Sequence, residues 1–201
     1  GPILIEPEAK NTAAAILAAS IFAQSKDENA ILIVAPSDHV IPDTANFHEA
    51  IKVGLSHVET QKMVTFGIKP THPETGYGYL ELSTDLLDEY GSSDLKAFVE
   101  KPNVQSAKQM LEAGHYLWNA GIFLFRAQDM IEAFRAYAPE TLDLVSQAVN
   151  KASSDLGFLR LASEPWSELR DISIDYAIME KADNLVAVPY ASKWSDLGGW
   201  D

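Results

Sequence analysis

Within its first 68 residues the chain alternates twice between a helical and a strand pattern, and that alternation limits the folds open to it. From Thr12 to Gln24, TAAAILAASIFAQ is rich in alanine and free of Gly and Pro, so it reads as a helix capped by Asn11 or Thr12. AILIVA, from Ala30 to Ala35, is a short apolar run closed by Pro36, which predicts a strand buried on both faces. Phe47, Ile51, Leu55 and Val58 then recur at helical spacing behind a cap at Asp43 or Thr44, and MVTFGI is apolar again. This order predicts crossover units and an α/β fold with a largely parallel sheet.

Beyond that point KPTHPETGYGYLEL reads as a Pro and Gly loop leading into a strand, and LKAFVEKP as a strand stopped by Pro102. A helix from Asn103 to Ala113, a strand AGIFLF, and two helices broken at Pro139 follow. ISIDYAIMEKA reads as a helix and NLVAVPY as a strand, while the stretch from Ser153 to Asp171 reads as a loop with a short helix. No repeat or linker interrupts the 201 residues, so one domain over 1–201 is expected.

A formal net charge of -14 argues against a nucleic-acid backbone as partner, since such binders concentrate Lys and Arg on one face. No apolar run is long enough to span a membrane, GPILIEPEAK lacks the features of a signal peptide, and there is no cysteine. The cytoplasm is the expected compartment. Acidity is compatible with a nucleotide, which needs only local donors and often a metal ion to offset repulsion.

Six clusters place polar groups at strand ends or in glycine loops: EPEAKNTA, PSDHV, TGYGYL, VEKP, WNAGIF and WSDLGGW. Asp38 follows a strand, where ligands of open α/β sheets sit, although Asp also favours turns for local reasons. The amides opening the first helix form an anion site to which Lys10 and Asn11 can add donors, or they are ordinarily capped. Gly76 and Gly78 flank Tyr77 and would let backbone approach a ligand. Glu100 and Lys101 are neighbours on a strand, so they should face opposite ways and form no mutual salt bridge. A glutamate there suits sugar hydroxyls and a lysine suits a phosphate. Asp38 and Asp196 together are a minimum for one Mg²⁺, provided the fold unites them. No H-E-x-x-H or G-x-S-x-G motif is present.

Taken in order, ILIEPEAKNTAAAI, VAPSDHVI, TGYGYL, FVEKP, WNAGIFLF, SIDYAIMEK and WSDLGGW resemble the landmarks of the sugar-phosphate nucleotidyltransferases, most closely the bacterial mannose-1-phosphate guanylyltransferases. The resemblance covers the chain nearly end to end. It implies an α/β nucleotide-diphospho-sugar transferase fold, with a Rossmann-like mixed, mostly parallel sheet flanked by helices, and a reaction of GTP with mannose 1-phosphate that yields GDP-mannose and diphosphate, for polysaccharide biosynthesis. By match of motif, Asp38 and Asp196 are implied as Mg²⁺ ligands, with Lys101 on the sugar phosphate. Gly76, Tyr77, Gly78, Glu100, Asn119 and Asp175 are implied on the sugar side. Glu6, Lys10, Asn11, Thr12, Pro36 and Ser37 are implied near the nucleotide.

The family's N-terminal glycine-rich loop with Thr-Arg is missing from these 201 residues, as is the isomerase domain that many bifunctional members carry after this region. A fragment with little transferase activity alone is therefore expected. Lys10 and Ala14 stand where the family more often has Arg and Pro, and lysine lacks the planar fork of arginine. Two other readings are a thymidylyl- or uridylyltransferase of the same fold, and a non-catalytic regulatory module. A second copy of the chain is a candidate partner at any unpaired sheet edge.

Overall fold

Local chemistry accounts for most elements of the structure, a computed structural model that describes residues 1–83 and 91–190, and residues 195–196 as backbone. In chain order these are β1 (Ile3–Ile5), α1 (Asn11–Gln24), β2 (Ile31–Val34), β3 (His39–Val40), α2 (Thr44–Val58), β4 (Met63–Ile68), β5 (Tyr79–Leu82) and β6 (Ser93–Val99). There follow α3 (Val104–Ala113), β7 (Tyr116–Arg126), α4 (Ala127–Tyr137), α5 (Pro139–Asn150), β8 (Ser153–Asp155), β9 (Phe158–Arg160), α6 (Ser163–Ser167), a π-helical turn (Asp175–Met179), β10 (Leu185–Pro189) and β11 (Ser195–Asp196). No helix among the described residues is long and apolar enough to cross a membrane.

The chain divides into two compact units: Gly1–Leu32 with Arg126–Ala182, and Ile33–Phe125 with the residues from Asp183 onward. The chain passes between them inside β2, at the end of β7 and just ahead of β10, where no linker composition marks a boundary.

In the first unit α1 lies against α4 and α5. Its small residues Ala13, Ala14 and Ala18 are buried beside Leu17, which lets helix axes approach closely. The stretch expected as a loop with a short helix contains that helix, α6, and also a hairpin, β8 with β9. Its turn residues Leu156 and Gly157 both have positive φ (49° and 89°), the signature of a tight primed turn, and Leu at the first place hides it from a sequence reading. β9 also pairs in parallel with β1.

In the second unit the strand order is β2-β7-β4-β10-β6-β5, with β5 pairing β7 as well. The expectation of a mostly parallel sheet gives way here. β4 and β10 run parallel, but β7 is antiparallel to β4 and β5, and β6 is antiparallel to β5 and β10. The reason is β7, far longer than the AGIFLF run, which serves β4 and β5 along different parts of its length. β2 is also corrected. It stands at the sheet edge with Ile31 and Ile33 exposed, so its apolar run is not buried on both faces. Asp43 caps α2 by accepting from the Asn46 amide at 3.0 Å, and Phe47, Ile51 and Leu55 pack onto Val64, Phe66 and Leu124 of the sheet.

Candidate functional site

The second unit gathers three of the motifs around the middle of β7. Register sets Asn119 opposite Gly67 on β4, and the Asn119 amide donates to the Gly78 carbonyl at 2.8 Å, so loop and strand are joined by backbone alone. The Asn119 side-chain oxygen accepts from the Thr65 hydroxyl (2.9 Å) and the Gly121 amide (3.0 Å). Because an N–H requires an acceptor, this pairing orients the carboxamide and turns its NH₂ the other way. A Cβ placed on Gly78 would lie 2.5 Å from Glu100 Oε2 and 3.4 Å from Asn119 Cβ. Gly78, Glu100 and Asn119 therefore form one cradle in which a side chain at position 78 would displace the carboxylate. Glu100 is nine-tenths buried by its side chain while Lys101 is 60% exposed.

These two residues do not diverge as strand alternation implied. β6 ends at Val99, Lys101 takes a left-handed φ of 46°, and its ammonium comes within 3.5 Å of Glu100 Oε1. Alternation holds only while the backbone stays extended.

The glycine loop is held by a residue that the motifs did not single out. Glu74 Oε1 accepts from the amides of Thr75 (2.7 Å) and Gly76 (2.8 Å), and Oε2 lies 3.3 Å from His72 Nε2. The amide of Gly76, then that of Thr75, holds the Glu74 carboxyl below its ordinary range. Tyr77 meets Trp118 edge-on with centroids 5.4 Å apart. Thr65 and Glu74 carried a weak signal in the sequence: Thr65 is the polar residue of an apolar strand, and Glu74 precedes the glycines.

Gly121 has a φ of 67°, and a Cβ there would sit 3.7 Å from Pro36 and 3.8 Å from His39, so the turn Pro36–Ser37–Asp38–His39 lies against β7 near the cradle. Asp38 is exposed on that turn. β3 and β11 pair antiparallel with Asp196 opposite His39, so the backbone of Asp196 faces the neighbour of Asp38 although 157 residues lie between the two aspartates in the chain. The side chain of Asp196 lies outside the described residues, among which no cluster of three or more metal-ligating side chains occurs.

The EPEAKNTA motif belongs to the first unit and is differently disposed. The structural cap of α1 is Lys10, one residue ahead of the expectation, and makes no side-chain cap bond. Asn11 takes a φ of 62° and its oxygen receives the Thr12 amide at 3.0 Å, while the Ala13 amide goes to the Ile172 carbonyl at 3.2 Å. Lys10 donates to the Ser167 carbonyl (3.0 Å) and lies 3.2 Å from Glu8. Glu6 is exposed to solvent, yet partial desolvation raises its pKa. Asp175 opens the π-helical turn, a geometry that is rare and recurs at functional sites. This short turn replaces the longer ordinary helix expected from ISIDYAIMEKA.

Residues 2–201 match the nucleotidyl transferase family. The chain is 44% identical to the mannose-1-phosphate guanylyltransferase of Sinorhizobium fredii, covering 99% of this chain and 39% of that one. It is 42% identical to the xanthan biosynthesis protein XanB of Xanthomonas campestris, covering 98% of this chain and 42% of the relative. The chain thus spans about two fifths of the length of these curated relatives. Among solved structures it resembles one titled a mannose-6-phosphate isomerase from Helicobacter pylori (TM-score 0.86, 31% identity, 97% of this chain and 74% of that one). It also resembles one titled a mannose-1-phosphate geranyltransferase from Thermus thermophilus (TM-score 0.83, 33% identity, 98% and 55%).

Proposed function

This chain belongs to the nucleotidyl transferase family, and on that premise we propose that it serves the transfer of a guanylyl group from GTP to α-D-mannose 1-phosphate. The observation that carries the sugar side is the cradle of Gly78, Glu100 and Asn119, where a carboxylate and an oriented carboxamide stand against bare backbone. Such a set accepts and donates to vicinal hydroxyls, and Tyr77 is assigned to the sugar side by the resemblance of TGYGYL. By the resemblance of SIDYAIMEK we also assign Asp175 a contact to the sugar, and Lys101 one to the sugar phosphate. Glu6, Asn11, Pro36 and Ser37 are assigned to the nucleotide side.

In the reaction a phosphate oxygen of mannose 1-phosphate forms a bond to the α-phosphorus of GTP, the bond from that phosphorus to the bridging oxygen breaks, and diphosphate leaves. No protein nucleophile is required, so the residues' work is to align two anions and offset their charge. Lys101 offsets the charge of the attacking phosphate as a mobile point charge at the end of β6. Asp38 and Asp196 suit Mg²⁺, because both are hard oxygen donors and the β3–β11 ladder sets the backbone of Asp196 against the neighbour of Asp38. When bound, the ion would supply charge neutralisation at the phosphates.

Calorimetric titration of the chain with α-D-mannose 1-phosphate tests the reading. Glu100→Gln should weaken binding by about tenfold to a hundredfold, the worth of a charged hydrogen bond. Titration with GTP, UTP and dTTP in the presence of Mg²⁺ should favour GTP. Failure of the wild-type chain to take the sugar phosphate, or preference for a pyrimidine nucleotide, would overturn the assignment.

A further inference from the structure

In the first unit four hydrogen bonds stitch EPEAKNTA to the segment that leads into SIDYAIMEK. The indole N–H of the fully buried Trp166 donates to the Glu8 carbonyl at 2.8 Å, and Lys10 donates to the Ser167 carbonyl at 3.0 Å. The Ala13 amide donates to the Ile172 carbonyl at 3.2 Å, and the Ile174 amide donates to the Thr12 hydroxyl at 2.9 Å. The last contact falls at the leading end of the π-helical turn. Helix ends leave amides without intrahelical partners. Here the Ile174 amide is taken by Thr12 from 162 residues away, the Tyr176 amide by the Ser173 hydroxyl at 3.4 Å, and the Ala177 amide by the Ser173 carbonyl at 3.0 Å.

We propose that Thr12 is a positioning residue, its hydroxyl acting as a remote cap that fixes the turn bearing Asp175, rather than a contact to the nucleotide. Ile174 is 1% exposed, so loss of the acceptor would strand a buried N–H, a costlier event than loss of a solvated bond. Lys10 belongs to the same stitch, which gives its ammonium a backbone carbonyl and a carboxylate instead of a phosphate. The effect on the sugar side rests on the assignment of Asp175 to that side.

Thr12→Val keeps the shape and removes the acceptor, and Thr12→Ser keeps the acceptor. In Thr12→Val the amides of Ile174 to Ala177 should exchange with deuterium about tenfold faster. Affinity for mannose 1-phosphate should fall about tenfold while GTP affinity stays within about twofold, and Thr12→Ser should restore all three readings. A fall in GTP affinity with unchanged exchange at Ile174 would overturn the proposal and make Thr12 a nucleotide contact. Equal losses for both ligands without rescue by serine would overturn it too. If the wild-type chain binds neither ligand, the transferase reading fails, and the exchange rates in Thr12→Val, which need no ligand, decide whether Thr12 caps the turn.

Discussion

The cradle in the second unit and the stitched segment in the first use similar polar residues to opposite ends. Asn119 and Glu100 sit on or just past long paired strands, so the sheet positions them beside Gly78, where the proposed sugar site would use them. Lys10, Asn11 and Thr12 sit where the backbone has just left a strand of three residues, and their polar atoms are spent holding that backbone in place. Polar groups can face a ligand cheaply only where other groups satisfy the main chain. A motif of ligand-binding character can therefore be structural in one setting and, on the proposed reading, functional in the other.

The largest expected effect separates the two directly. In Gly78→Ala the new methyl group meets Glu100 Oε2 at 2.5 Å and the Phe98 ring at 3.3 Å, so the carboxylate must turn away and the ring give by a few tenths of an ångström while the strands keep their register. Affinity for mannose 1-phosphate should drop about a hundredfold with little change in thermal midpoint, because a charged hydrogen bond is lost but no core is opened. Calorimetry alongside thermal unfolding checks this. A drop in stability with retained affinity would make Gly78 a packing residue and the cradle an accident of the turn.

Much of this contrast is legible in the amino-acid sequence, and the illegible part has physical causes. MVTFGI, the Asp43 cap and the break at Pro139 are readable because apolar run, cap and proline act locally. The meeting of Asn119, Gly78 and Glu100 is legible only as motif resemblance, since strand pairing is set by contacts far apart in sequence. The remote cap on Ile174 leaves no trace, because a threonine donates and accepts in the same way whether it caps its own helix or another segment. The Glu100–Lys101 pair misleads for a single reason, the left-handed turn at Lys101, which no glycine announces.

A smaller effect is expected from Trp166→Phe. It removes the indole N–H from the Glu8 carbonyl while keeping an aromatic ring in the buried site, so the first unit should lose about 1 to 3 kcal/mol through the stranded carbonyl and reduced packing. Denaturant unfolding would measure the loss, and exchange should quicken at Lys10 to Ala13. The amides of Gly76 and Asn119 in the second unit should keep their exchange protection within about twofold, since their hydrogen bonds involve no residue of the first unit. A parallel loss at the cradle would erase the distinction between the two regions.

The smallest effect uses pH to tell the regions apart. Glu74 holds the amides of Thr75 and Gly76, and its folded pKa lies below the ordinary value of 4.5. A depressed carboxyl contributes stability that is present above its unfolded pKa and is lost as pH falls through the folded one. Protection of the Gly76 amide, corrected for intrinsic exchange, should therefore decline on acidification below about pH 4.5, and Glu74→Gln should flatten the decline. The bond from Ile174 to Thr12 contains no titrating group, so protection there should stay constant over the same range. Glu74 is partly solvated, which limits the size of the change but not its sign. A constant Gly76 beside a declining Ile174 would invert the comparison. It would place the charge-dependent scaffold in the first unit and leave the glycine loop shaped by its backbone alone.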